Sequence, residues 1–381
     1  MTSFNGSEPS MNSQSQVEDF WKLETLRIND SMTESDDDKA LQKFSETVQF
    51  KDGRYQVTWP WKEERPMLPS NYYLAMGGLR SLVNRLMKNP EHLRKYDAVL
   101  QDQLEKGIIE VVPEQDSGET LKHYIPHHKV VTLEKTTTKL RIAFDASVKT
   151  RKGNRSLNES LHRGPVFLED LCGLLMRFSR LNKVALIADV EKAFLQVGLY
   201  PDDRDATRFF WLKDVTKPPL ENNVQILRFT RVPFGMISGP FLLAATVKSH
   251  LNTVETSVAK KIANNIYVDN VITGVSISKE ADQFYKEAKP LFQSSSMNLR
   301  EWAFNCDELI QSIPESDRIT GNKMKVLGTT WDMNSDSLFI NGCNIPASPV
   351  TTKREALQFI SRIYDPLGFL SPVTLNGKLF I

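Results

Sequence analysis

Residues 184–190, VALIADV, form a short apolar run that carries a carboxylate, Asp189, next to its end. Residues 264–274, NNIYVDNVITG, read as strand, turn and strand, with Asp269 and Asn270 at the bend. The first run has the length and composition of a buried strand, and the second is a hairpin. Taken singly, an Asp at a strand end or in a turn is more often a cap or a turn residue than a functional group. Presented together from neighbouring strands, two acids can chelate Mg²⁺, which takes oxygen ligands and leaves positions open for substrate phosphates. Two such ions about 3.5–4 Å apart are a recurring solution for in-line phosphoryl transfer.

Outward from this pair the chain mixes helices with hairpins. Leu93, Tyr96, Leu100 and Leu104 predict a helix from Pro90 to Gly107, and Leu168, Leu171, Leu175, Phe178 and Leu181 predict a second. Residues 128–147 predict a basic hairpin with Lys135 near its tip, on which Arg141 and Lys135 can neutralise a triphosphate. Pro240 to Leu251 predicts a helix with proline in its first turn. Helices interspersed with short strands and no internal repeat predict an α/β or α+β protein.

The 381 residues include 48 Lys plus Arg and 47 Asp plus Glu, a formal charge of +1 that conceals a division. Residues 1–50 carry 10 acids and four bases, whereas residues 122–163 carry 10 bases and three acids. A basic stretch beside an acidic arm suits a polyanion-binding surface with a solvated tail. With 40% hydrophobic residues the chain is neither wholly disordered nor fibrous. The polar stretch 1–16 reads as a disordered tail without the marks of a secretory signal. No apolar run is long enough to span a membrane. Cys172, Cys306 and Cys343 are far apart, odd in number and without metal-ligand spacing, so they read as ordinary buried thiols of a protein in a reducing compartment.

The motif order resembles the reverse transcriptase region of BEL/Pao-type long-terminal-repeat retrotransposon Pol polyproteins. The resemblance is carried by KLRIAFDAS (139–147), the stretches 156–180 and 187–211, RVPFGMISGPF (231–241), NIYVDN (265–270), MKVLGTTWD (324–332) and residues 352–373. It covers the chain from about Phe20 onward. It implies an α+β right-hand polymerase with fingers, a palm built on an antiparallel sheet, and a partial thumb or connection. The corresponding division is a disordered acidic arm over 1–50, mainly fingers over 51–183, and palm over 184–335 with a fingers insertion near 200–233. The start of a thumb or connection, truncated, follows over 336–381.

The resemblance also implies roles. Asp189, Asp269 and Asn270 would form the catalytic set, with Asp189, Asp269 and the Val190 carbonyl holding two Mg²⁺ ions, or Mn²⁺ in their place. Lys135, Arg141, Lys192, Ala193, Phe194, Phe234 and Gly235 would contact the nucleotide, with Phe194 as a steric gate against a 2′-hydroxyl. Leu327 and Gly328 would form a primer grip. Partners would be an RNA or DNA template with its primer and a dNTP, with no membrane, in a cytoplasmic retrotransposon particle that has access to the nucleus. The family usually has a third carboxylate where this chain has Asn270. Near two divalent ions that charge is worth about 4 kcal/mol per unit of cation charge at 4 Å and an effective dielectric near 20. The family also tends to L-R-K-W where this chain reads LREW, so Glu301 reverses a charge. Both departures suit a catalytically impaired remnant that only binds nucleic acid, and a structural fragment without substrate is the further alternative. The triplet Asp116-Ser117-Gly118 matches that of aspartic proteases but sits between polar flanks and reads as a turn.

Overall fold

A computed structural model describes residues 35–64, 66–113, 121–131, 140–180, 182–340 and 352–380. Lys135, Cys343, the tail at 1–16 and the triplet at 116–118 lie outside the described residues; Cys172, expected to be buried, is exposed, and Cys306 is half-buried.

The acidic arm expected to be disordered as far as residue 50 is folded from Ser35 onward. Helix α1 (Asp36–Thr47) starts on a capping box, the Ser35 hydroxyl accepting from the Asp38 amide and the Asp38 carboxylate from the Ser35 amide. Three aspartates in its first turn complement the helix dipole. Ala40 and Phe44, four residues apart, are buried, and Phe44 meets Phe241 edge-on at 5.8 Å. The local acidity that suggested a solvated arm is therefore the start signal of an amphipathic helix. Strands β1 (Gln49–Lys51) and β2 (Arg54–Val57) follow as a hairpin.

Helices α2 (Tyr72–Met87) and α3 (Pro90–Glu105) follow, separated by two residues, and pack into one core. Proline at the first turn of α3 and the Asn89 side chain capping the His92 amide set its start close to the expected residue. Strand β3 (Ile109–Val111) joins a sheet of order β3-β9-β8, whose other members are β8 (Arg208–Leu212) and β9 (Val224–Phe229). Leu79, Leu82 and Leu86 of α2, Tyr96 and Leu100 of α3, and Phe209, Trp211, Leu227 and Phe229 of the sheet share one core. The expected basic hairpin is present as β4 (His127–Val131) and β5 (Leu140–Phe144).

Helix α4 (Leu171–Arg180) leads into β6 (Val184–Val190), the run from which the fold was read. The predicted helix began at Leu168; that residue lies outside α4 and is exposed. Strand β7 (Gly198–Leu199) pairs in parallel with β2. Further along come α5 (Gly239–Asn252), α6 (Ser257–Ala263), β10 (Ile266–Tyr267), β11 (Asn270–Val275), α7 (Ser278–Gln293) and β12 (Leu299–Phe304). The central sheet is antiparallel, in the order β10-β11-β6-β12. Side chains of β6 alternate between its faces as a pleated strand requires. Leu186, Ala188 and Val190 enter one core with residues of α5 and α7, whereas Ala185 and Ile187 enter another with α4. A sheet covered on both faces explains why β6 reads as continuously apolar.

The second of those cores is closed by β13 (Lys323–Val326), β14 (Thr329–Asp332) and β15 (Ser337–Phe339) through Val326 and Trp331. Helices α8 (Lys353–Ile360) and α9 (Ser371–Phe380) end the described chain. The architecture is α+β, with the antiparallel palm-type sheet at its centre. Among the described residues no helix is long and apolar enough to cross a membrane.

Candidate active site

Asp189 occupies the penultimate position of β6 and is flanked in register by Asn270 of β11 and Arg300 of β12. Tyr267 pairs with Asn270, so the loop of the β10–β11 hairpin consists of Val268 and Asp269. The bend thus lies one residue earlier than the expected Asp-Asn turn, and Asn270 is already a strand residue. Val268 has φ +57°, a left-handed conformation that is costly for a β-branched side chain. The Asp269 carbonyl accepts from the Val190 amide at 2.7 Å, which ties the hairpin tip to the end of β6. The Asn270 amide donates to Asp269 Oδ1 at 2.7 Å.

The third strand adds charges that no local pattern reveals. Between Arg300 and Ala303 the pairing of β12 with β6 slips by one residue, a β-bulge at which Glu301 has φ +51°. Arg300 lies 3.8 Å from Asp189, 3.5 Å from Glu191 and 3.8 Å from Glu301. Burial first, then the neighbouring Asp269 and Glu301 carboxylates, push the Asp189 carboxyl up to about 7, with Arg300 opposing them. A half-buried carboxylate raised this far by burial and by neighbouring carboxylates has the electrostatics and oxygen donors of a divalent-cation site. Asp189 and Asp269 therefore fit such an ion. Among the described residues no group of three or more His, Cys, Asp or Glu side chains is arranged to hold a metal.

Immediately beyond β6 the chain turns sharply at Lys192, φ +49°. Its ammonium lies 3.3 Å from Asp102 at the C-terminal end of α3, which also pairs with Lys106 at 2.5 Å. Lys192, expected at the nucleotide, is thus engaged by the α3 end. Ala193 is buried at the start of a short 3₁₀ turn. Phe194 lies beside Phe234, ring centroids 4.9 Å apart, although 40 residues separate them in sequence. Gly235 has φ +97°, and a Cβ there would lie 2.7 Å from the Phe144 carbonyl, so the close approach requires glycine. Arg141 is exposed on β5, paired in register with Val130.

Leu327 and Gly328 form the two-residue loop of the β13–β14 hairpin, with φ +47° and +91°. Positive φ at both positions matches a type I′ turn. A Cβ on Gly328 would meet the Tyr364 ring at 2.4 Å, and Leu327 packs with the core that includes Tyr267. The structure therefore unites Asp189, Val190, Asp269 and Asn270 directly, and joins Phe194 to Phe234 and Gly235. Arg300, Glu191 and Asp102 were not found by sequence reading. Only strand register and loop packing bring them in.

The described fold can be set beside known proteins. Residues 125–301 match the family model described as reverse transcriptase (RNA-dependent DNA polymerase). Residues 352–381 match that described as Pao retrotransposon-like RNaseH-like domain. No curated protein matches the chain. Among solved structures, the foamy viral protease-reverse transcriptase in complex with an RNA/DNA hybrid is 15% identical with a TM-score of 0.45, over 74% of this chain and 31% of that one. The prototype foamy virus protease-reverse transcriptase CSH mutant is 17% identical with the same TM-score, over 74% of this chain and 31% of that one. A foamy viral form bound to double-stranded DNA is 16% identical with a TM-score of 0.45, over 70% of this chain and 38% of that one. The chain thus spans about a third of the length of these structures. The two matches, a reverse transcriptase segment over 125–301 followed by a Pao retrotransposon-like segment over 352–381, are consistent with the reverse transcriptase region of a BEL/Pao-type retrotransposon Pol polyprotein.

Proposed function

We propose that this chain is an RNA-directed DNA polymerase that joins a dNTP to a primer 3′-hydroxyl on an RNA or DNA template. The observation that carries the reading is the meeting of Asp189 and Asp269 at one end of the central sheet, where their mutual repulsion calls for a cation. Two Mg²⁺ ions, or Mn²⁺, held by Asp189, Asp269 and the Val190 carbonyl would supply charge neutralisation for the reacting phosphate and oxygens. Phe194 and Phe234, their rings tilted 52° to one another, form an apolar wall suited to a deoxyribose and base, and Arg141, exposed on its hairpin, suits a triphosphate. Leu327 and Gly328 would hold the primer end. The lobes would be mainly fingers over 51–183, palm over 184–335 with the β8–β9 region as a fingers insertion, and the start of a thumb or connection from 336.

A second reading, a remnant that binds nucleic acid without catalysis, is favoured by the Asn270 amide hydrogen-bonded to Asp269 Oδ1. Primer extension on poly-rA with oligo-dT and Mg²⁺ separates the two. Incorporation abolished by Asp189→Ala supports the polymerase. Salt-sensitive template binding without incorporation supports the remnant, and absence of both supports a structural fragment.

A further inference from the structure

We infer that Asn158 is a positioning residue for the nucleotide-facing loop 234–237, an assignment that rests on the polymerase reading above. Its side-chain amide makes three hydrogen bonds to two different segments. Nδ2 donates to the Gly235 carbonyl at 3.0 Å and to Ser147 Oγ at 2.9 Å, while Oδ1 accepts from the Ile237 amide at 2.9 Å. A primary amide has two donor hydrogens and one carbonyl, and each is used here. Neither a carboxylate nor a hydroxyl of similar size reproduces that pattern. The backbone fixes the clamp in turn, since the Asn158 amide donates to the Ala146 carbonyl at 3.0 Å and the Ser147 amide to Asp145 Oδ1 at 3.0 Å.

The clamp joins segments that are far apart in the chain order. Ser147 follows β5, the strand that carries Arg141, and Gly235 lies against the Phe144 carbonyl at the end of that strand. Phe234, next to the clamped Gly235, and Ile237, itself clamped through its amide, are half-exposed apolar side chains that solvent does not hold in place. Phe234 meets Phe194 at 4.9 Å, so the position of the loop sets the shape of the apolar wall that the two rings form. Asn158 acts on the nucleotide through this loop, and no contact of its own with substrate is required.

The test uses the full chain and a fluorescent, chain-terminated DNA primer on an RNA template. Affinity for the duplex is measured first, and then its tightening as the next complementary dNTP is added with Mg²⁺. For Asn158→Ala, duplex affinity stays within about twofold of wild type while the half-maximal dNTP concentration rises about tenfold, the loss expected from one or two net hydrogen bonds. Asn158→Asp raises it as well, because it keeps the acceptor for Ile237 and loses both donors. Amide hydrogen exchange reads the clamp directly: Ile237 protection falls in Asn158→Ala and persists in Asn158→Asp. If Asn158→Ala does not fold, Ser147→Ala removes one bond of the three and must shift the dNTP requirement in the same direction by less. An unchanged dNTP requirement overturns the proposal, as does an equal loss of duplex and dNTP binding. A wild-type chain that binds duplex but never tightens with dNTP overturns the polymerase reading instead, and Ile237 exchange still reports whether the clamp exists.

Discussion

Asn270 stands directly opposite Asp189 across the β6–β11 ladder, and its amide hydrogen-bonds the neighbouring Asp269. A carboxylate at 270 would repel both aspartates, whereas the amide donates to one of them. The site is thereby eased in the absence of metal and has one negative charge fewer for binding it.

Asn270→Asp reverses that trade. Without metal the variant loses the bond to Asp269 and gains a like charge, for a cost of about 1–3 kcal/mol. Millimolar Mg²⁺ then raises its melting temperature more than that of the wild type, since a ligand bound only by the folded state stabilises it. Thermal melts of both proteins with and without Mg²⁺ check this. Equal metal-dependent shifts would show that position 270 does not govern cation affinity.

Phe194→Ala opens the wall beside Phe234 while leaving the carboxylates in place. Discrimination between dNTP and rNTP in single-nucleotide extension should fall roughly 10- to 100-fold, the range set by steric fit in an apolar pocket. Phe194→Tyr, which keeps the ring, should retain most of it. A ratio unchanged in Phe194→Ala would make Phe194 a packing residue only.

Acid should destabilise the fold through two buried histidines. His127 donates from Nε2 to the Phe210 carbonyl at 2.9 Å and accepts from the Tyr96 hydroxyl, and His123 donates from Nδ1 to the Pro69 carbonyl at 2.6 Å. Burial lowers both to about 4. Between there and the ordinary value of 6.5 the unfolded chain binds more protons than the folded one, so stability is full above pH 6.5 and declines as pH falls toward 4. Each can account for up to about 3 kcal/mol. Asp189, pushed up to about 7, and Asp203, whose buried carboxyl is also pushed up, work in the opposite direction and soften the decline. Urea midpoints at pH 7.5 and 5 measure the effect. His127→Gln should be less stable at the higher pH and should fall less on acidification; an undiminished fall would place the acid sensitivity elsewhere.

Asp205→Ala should be among the most damaging changes away from the site. Asp205 accepts from Arg208 at 2.8 Å and from Arg228 at 2.7 Å, and Arg228 also reaches Glu110, so the network ties β3, β8 and β9 together. Arg208 and Asp205 are each only 3% exposed. Removing the carboxylate from such a cluster costs about 3–5 kcal/mol because buried positive charge loses its counterion. Chemical denaturation reads the loss directly, and a cost below 1 kcal/mol would mean that water relieves the cluster.

The α+β class, the strand ending near Asp189, the two hairpins and the starts of α3 and α5 were legible in the sequence because each rests on local chemistry. Apolar runs, proline in a first turn and turn residues act within a few positions of themselves. The motifs sufficed to nominate Asp189, Asp269 and Phe194. The part of the arm from Ser35 to residue 50 was misread because acidity marks a solvated tail and a helix N-terminus alike, and only packing of Ala40 and Phe44 tells them apart. Register and loop packing decided the rest. Arg300 meets Asp189 only because β12 pairs with β6, a bulge sets Glu301 beside them, Lys192 leans on Asp102 across to α3, and Asn158 reaches a loop 77 positions away. Charge acts through space, and which charges share that space is settled by the fold and not by the order of residues along the chain.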